Sequence, residues 1–248
     1  TDNGSIVCEH VVSATGHHVR STGRMVGVHL PAVPVQHQTI VTDVVPLVRR
    51  HREAGGAELP VLYDPDASYY LREADLGYIL GAYEVGAPAV FADGVPASFG
   101  KNLFPGDLER LMPHVEAAID RVPTFATSGI RDIVNGPVPY TPDGVPLIGP
   151  ACGVRNFWLN EGHALGGATA GGAGAQLARW IMEGDPGMDM LACDPRRFGS
   201  YATRSYTMAR NESAHANALA VRFPNQELDS SISAKTSPCH DGLDRLGA

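Results

Sequence analysis

Between Val33 and Asp43 the chain alternates apolar and polar side chains (VPVQHQTIVTD), the period of a half-buried strand, and His37 falls in its middle. Leu59 to Tyr63, Ser68 to Arg72 and Gly77 to Tyr83 repeat the strand signal, with turns predicted at Asp64-Pro65-Asp66 and Glu73-Ala74-Asp75. Four strands at hairpin spacing, without helices between them, predict an antiparallel sheet. Upstream, Ser5 to Gly16 holds two short strand-like runs, the second ending in Ala14-Thr15-Gly16. Those small residues suit a strand end that meets a ligand.

From Gly106 the period lengthens. Leu108, Leu111, Met112, Val115, Ile119 and Val122 share one helical face, Asp107 is placed to cap it, and Pro113 is expected to kink or divide it. Ile130 to Val134 returns to strand. Asn135 to Pro150 contains three glycines and five prolines, which predicts a rigid, turn-built loop able to wall a pocket. Phe157-Trp158-Leu159 reads as a short buried strand.

Six glycines then crowd into Gly162 to Gly174, ahead of an amphipathic run in which Leu177, Trp180 and Ile181 recur at helical spacing and Gly184 marks the stop. The expectation is a loop followed by a helix from about Ala175. So many glycines cost more backbone entropy than helix packing alone justifies, and point to a ligand pressed against the main chain. Strand, glycine loop and helix start together present free N–H groups and a positive dipole end. Beyond about Tyr206 the sequence is polar without a clear period and is expected to be an extended connector.

Composition narrows the function. With 19 basic and 27 acidic residues the net charge is −8, which argues against nucleic acid as a partner. Arg49-Arg50-His51-Arg52, the one tight basic cluster, reads as a solvated turn. No apolar run reaches membrane-span length, so membrane insertion is not expected. Four well-separated cysteines (Cys8, Cys152, Cys193, Cys239) show neither zinc-ligand spacing nor a disulfide framework, which suits a reducing compartment. Cys8/His10 and His17-His18 are the nearest approach to a metal site, and no metal is expected, because adjacent side chains diverge on regular elements. There is no GxSxG nucleophile elbow, and Gly100-Lys101-Asn102 fails the P-loop pattern.

Several ordered segments resemble one family. They are Val33-Pro34-Val35-Gln36-His37-Gln38, Ser68-Tyr69-Tyr70-Leu71-Arg72-Glu73, Phe104-Pro105-Gly106-Asp107-Leu108, Val134-Asn135-Gly136-Pro137, Tyr140 to Pro146 and Asp194-Pro195-Arg196-Arg197-Phe198. Together they resemble the dimethylglycine dehydrogenase and sarcosine dehydrogenase flavoenzymes, which have a D-amino-acid-oxidase-like fold. The resemblance implies a mixed α+β and α/β architecture. A partial FAD-binding domain (residues 1–23 and 136–204) would carry an inserted antiparallel-sheet substrate domain (24–135), with 205–248 a connector toward a further domain. It implies FAD as cofactor, with tetrahydrofolate relevant only to a longer parent protein. It implies a small methylated amino acid as substrate, an electron acceptor of another identity, and a cytoplasmic location or, in a eukaryote, the mitochondrial matrix.

Carried over by position, the family pattern places Ala14, Thr15 and Gly16 beneath FAD. It sets Gly162, His163, Ala164, Leu165, Gly166 and Gly167 against the flavin, and His37 and Tyr69 in the substrate pocket as catalytic candidates. Read without the family, His37 is a hydrogen-bonded sheet histidine and Tyr69 a core aromatic. The GxGxxG phosphate grip of the family is absent from these 248 residues. The resemblance therefore also implies an internal piece of a longer protein, and the rival expectation is a catalytically incompetent flavin-domain fragment that at most binds.

Overall fold

The computed structural model describes residues 4–221, 223–226 and 236–247. The predicted antiparallel sheet is present and has five strands. β2 (Val33–Thr42), β3 (Leu62–Asp64), β4 (Tyr69–Ala74), β5 (Gly77–Ala82) and β6 (Ile130–Tyr140) are arranged in the order β3-β4-β5-β2-β6. Asp75 and Leu76 both take positive φ (50° and 63°), the left-handed pair that turns β4 back onto β5.

β6 corrects the sequence reading, because it runs through Asn135-Gly136-Pro137-Val138-Pro139-Tyr140, expected to be loop. Its register opposes Gln36 to Pro137 and Pro34 to Pro139. The carbonyl of Asn135 accepts from Phe104 N–H on the outer side at 2.9 Å, so by alternation Pro137 and Pro139 also turn their nitrogens outward. An edge strand tolerates proline in that position.

Helix α3 (Leu108–Arg121) lies across one face. Asp107 caps it by accepting from Arg110 N–H, as expected, and Pro113 sits inside an undivided helix. Leu111 and Ala118 are fully buried and pack with Ile40, Tyr69, Leu71, Leu80 and Phe125, whereas Leu108 and Met112 are exposed. Each such fully buried large side chain contributes about 1.5–3 kcal/mol through lost apolar surface. Helix α2 (Pro46–Glu53) replaces the turn expected at Arg49 to Arg52 and buries Val48 beneath the same core.

A second, three-stranded sheet comprises β1 (Val11–Ser13), β8 (Phe157–Glu161) and β7 (Leu147–Pro150), with β8 central, parallel to β1 and antiparallel to β7. β7 also falls in the stretch expected to be loop, while of the two runs expected in Ser5 to Gly16 only β1 is strand. Leu147, Phe157 and Leu159 pack one face against Val19 of helix α1 (Val19–Met25). Ile148 and Trp158 pack the other against Ala173, Leu177 and Ile181 of helix α4 (Gly166–Glu183). α4 begins nine residues before the predicted start, so Gly166 to Gly174 are helical rather than loop. Gly184 ends it in the left-handed region with φ 78°, as expected.

The largest departure is helix α5 (Arg204–Ala216), formed from sequence expected to be an extended connector. Asn211 donates through Nδ2 to the carbonyls of Val33 (2.9 Å) and Tyr140 (2.6 Å), and Ala89 N–H donates to Glu212 at 2.8 Å. Thr207, Asn211 and His215 are fully buried beside Tyr206 and Ala214, so the face that docks on the sheet is largely polar and carries no hydrophobic period. A final helix, α6, spans His240–Arg245; residues 227–235 of the expected connector lie outside the described residues.

Candidate functional site

Alternation along β2 gives its two faces different work. Gln36, Gln38 and Ile40 face α3. Gln38 Oε1 accepts from Asp107 N–H at 2.7 Å, and its Nε2 donates to Glu84 at 2.6 Å. Asn135 Nδ2 donates to Gln36 Oε1 (3.0 Å) and to the Pro105 carbonyl (2.8 Å), and Arg110 Nη2 also donates to Gln36 Oε1 (3.2 Å). Three of the segments that carried the family resemblance are thus locked together beneath the strand. Two more meet elsewhere, where Arg197 pairs with Asp143 at 2.7 Å.

His37 points to the other face, toward α5. Its Nδ1 lies 3.2 Å from Nε2 of His215, and its ring is 5.0 Å from that of Tyr83 and 5.4 Å from that of His215. Burial pushes the His37 pKa down to about 4. Burial first, then the neighbouring His37, take His215 to about 3, opposed by a hydrogen bond with the Glu84 main chain. Both rings are therefore neutral at pH 7. Burial raises the Tyr83 hydroxyl to about 12, helped by Tyr70 and Tyr63, so it stays a protonated donor. Burial also raises Glu84, against the hydrogen bond from Gln38. Its Oε2 has no hydrogen-bond partner and lies 3.8 Å from His215 Nε2.

His37, Glu84 and His215 each offer a ligand atom, and these lie within 4.8 Å of one another, a set with the donors for a metal ion. The nearest approach expected from sequence, at Cys8/His10 and His17-His18, is not that group. Sequence reasoning missed His215 because no apolar period marks α5. The only available signal was the density of Asn, Glu and His in a 13-residue stretch with a Thr203 cap.

Tyr69 does not join His37. Tyr69 opposes Ala82, which opposes Gln38, so Tyr69 stands on the α3 face, fully buried with Leu111 and Leu80. Its hydroxyl has no partner and burial raises its pKa. It is a core residue, and its neighbour Tyr70 occupies the His37 face instead. There the Tyr70 ring covers Gly81, where an added Cβ would come within 2.2 Å of it.

The two segments expected from the resemblance to hold the cofactor do meet. Glu161, at the end of β8 and 1% exposed, accepts from Ser13 Oγ (2.6 Å), Thr15 N–H (2.8 Å), Thr15 Oγ1 (2.7 Å) and Gly16 N–H (3.1 Å). Thr15 and Gly16 therefore spend their N–H groups inside the protein, while Ala14 is exposed. Gly162 follows with φ 74°, its Cβ direction closed by Thr141 Cγ2 at 2.7 Å, which excludes a side chain on both counts. His163 is engaged on both nitrogens, at 2.7 Å from Asn160 Oδ1 and 3.0 Å from Thr169 Oγ1, so it braces the loop onto α4. Ala164 packs against Val35, Tyr140 and Ala214, which brings the loop to the His37 side of the large sheet.

Leu165 and Gly166 open α4 with no side-chain cap; the N–H groups of Ala168 and Thr169 donate to the Leu165 carbonyl (3.0 and 3.2 Å), which leaves only those of Gly166 and Gly167 to an outside acceptor. Around Gly167, Gly171 and Gly172 nothing lies within 4 Å of where a Cβ would stand. A flat, aromatic, electron-accepting ring fits such a cradle, since the main chain can approach it closely and the dipole favours added negative charge.

Residues 1–180 match the family of FAD-dependent oxidoreductases, and residues 183–237 match the central domain of FAD-dependent oxidoreductases. The chain is 40% identical to mitochondrial dimethylglycine dehydrogenase of Rattus norvegicus over 92% of its own length and 27% of that protein. It is 35% identical to mitochondrial sarcosine dehydrogenase of Mus musculus over 98% of its length and 26% of that protein. It thus spans about a quarter of the length of these relatives. Glycine oxidase from Geobacillus kaustophilus superimposes with a TM-score of 0.59 at 19% identity, covering 80% of this chain and 48% of that one, which shows the expected D-amino-acid-oxidase-like fold.

Proposed function

The chain belongs to the family of FAD-dependent oxidoreductases, and on that premise we propose that it forms the substrate sheet and part of the flavin contact of an enzyme oxidising an N-methylated glycine. The observation that carries this reading is the contact of Ala164, in the uncapped loop before α4, with the end of the sheet from which His37 projects. Residues 162–167 and the start of α4 would hold the flavin, with Ala14 beside them. A flavin held there would supply a two-electron hydride acceptor for oxidation of the N-methyl carbon.

The chain's own residues prepare the amine. Hydride leaves readily only when the nitrogen lone pair is free, so the substrate must react as the neutral amine. With a pKa of about 4, His37 is a poor proton store at pH 7. Its role is to offer an uncharged ring to the amine through Nε2, the nitrogen not facing His215, while Tyr70 and Tyr83 line the same face as neutral phenols. No helix among the described residues is long and apolar enough to cross a membrane. The mitochondrial relatives favour the matrix over the cytoplasm as the location.

The second reading, a piece that binds at most, is favoured by the missing GxGxxG, because pyrophosphate contacts supply much of the affinity for FAD. Purification decides between them. Yellow protein with near-UV and blue absorbance bands, bleached by anaerobic dimethylglycine or sarcosine, is the expected result, and colourless protein that does not take up FAD supports the second reading. In the flavin-loaded protein, His37→Ala should slow bleaching about 100-fold with FAD content unchanged; an unaltered rate removes His37 from the mechanism.

A further inference from the structure

Three elements converge beside Tyr83: β2 supplies His37, the segment after β5 supplies Glu84, and the last turn of α5 supplies His215. Glu84 is buried, and its two oxygens are used unequally. Oε1 accepts from Gln38 Nε2 at 2.6 Å and lies 4.0 Å from Arg110 Nη2, on the α3 side. Oε2 is turned to the histidines yet stands 3.8 Å from His215 Nε2, too far for a hydrogen bond. A buried carboxylate oxygen without a donor is costly, and no described residue supplies one.

We propose that His37, Glu84 and His215 form a site for a divalent first-row transition ion such as zinc, with water as its fourth ligand. One ligand atom from each lies within 4.8 Å of the others. Ligands held at about 2.0–2.1 Å around a tetrahedral ion stand about 3.3 Å apart. The 3.2 Å between His37 Nδ1 and His215 Nε2 already matches, and the carboxylate closes the remainder by a shift of at most about 1.5 Å. Both rings are neutral at pH 7, the form that ligates. The single proton between them moves to the outer nitrogen of its own ring, so the charge of the pair is unchanged. Gln38, itself accepting from Asp107 N–H at 2.7 Å, holds the carboxylate from behind, the outer support a metal ligand needs. His37 is partly exposed, which leaves the ion and its water a way in. Two imidazoles and one carboxylate suit zinc rather than calcium or magnesium, which take oxygen ligands.

The purified chain, stripped with a chelator, is titrated with Zn²⁺ by calorimetry and with Co²⁺ by absorption. One saturable site is expected, with a higher denaturation midpoint in Zn²⁺ and visible Co²⁺ bands that lack the near-UV charge transfer of a thiolate ligand. Glu84→Gln should weaken Zn²⁺ binding about tenfold or more. Cys8→Ser and His18→Gln, at exposed residues that could hold the ion instead, should leave it unchanged. If Glu84→Gln does not fold, the Co²⁺ spectrum and the wild-type midpoint still decide. No saturable binding, full affinity in Glu84→Gln, loss in Cys8→Ser or His18→Gln, or a thiolate band would overturn the proposal. None of these readouts involves flavin or substrate, so failure here leaves the reading of His37 in the substrate pocket standing.

Discussion

The five-stranded sheet and helix α4 use glycine for opposite reasons. In the five-stranded sheet the neighbours demand it: a Cβ on Gly77 would stand 2.5 Å from the Asp43 carbonyl and 2.8 Å from Thr42 Oγ1. In the three-stranded layer Gly167, Gly171, Gly172 and Gly174 of α4 would meet nothing within 4 Å. The same layer leaves β1 with one strand neighbour, and Val11 and Val12 are about half exposed. The composition of the first region is thus explained by its own packing. The α4 glycines have no such neighbour among the described residues, and it is there that the proposed flavin contact finds room.

This contrast can be broken in several ways, beginning with the joint that holds the small layer together. Glu161→Ala strips the acceptor from Ser13, Thr15 and Gly16, and should cost about 2–4 kcal/mol in chemical denaturation. A loss below about 0.5 kcal/mol would show that the β1–β8 joint does not depend on it. Gly77→Ala must displace the main chain at Asp43 and should cost about 1–3 kcal/mol.

The buried histidines couple the large sheet to pH. His37 and His215 have pKa values near 4 and 3, below the 6.5 of the unfolded chain, so unfolding takes up protons under acid conditions. Stability should be complete above about pH 6.5. It should fall as pH drops toward 4, at about 1.4 kcal/mol per pH unit for each histidine, read as a shift in denaturation midpoint. Replacing His215 with Gln should flatten that slope, and a slope unchanged by the substitution would remove His215 from the linkage.

The smallest effect has the opposite sign. Gly171→Ala should stabilise this chain by about 0.5–1 kcal/mol, since the residue is helical and unopposed, while weakening FAD binding wherever the flavin covers that face. Destabilisation of the chain alone would mean that α4 is already covered.

The large sheet was legible in the sequence because its strands alternate and its turns carry Asp, Pro and Gly. The Asp107 and Gly184 caps were legible for the same local reason. β6 beyond Val134 was not, because proline is disfavoured in strands in general and acceptable at one edge, and only the register reveals the edge. α5 was hidden more deeply. It docks through Thr207, Asn211 and His215, whose partners are main-chain carbonyls and a histidine about 180 residues away.

Local chemistry, then, determined in advance the strands β2 to β5, the helix after Asp107, the crowding of glycine before Leu177 and the family to which the chain belongs. Tertiary structure alone decided that Tyr69 turns into the core while Tyr70 takes the His37 face, that Glu161 consumes the donors of Thr15 and Gly16, and that His215 completes the cluster around His37. The division has one physical cause. Periodicity and caps act between residues a few positions apart, whereas the side of a sheet and the partner of a buried polar group are fixed only when distant segments compete for the same space and the same hydrogen bonds.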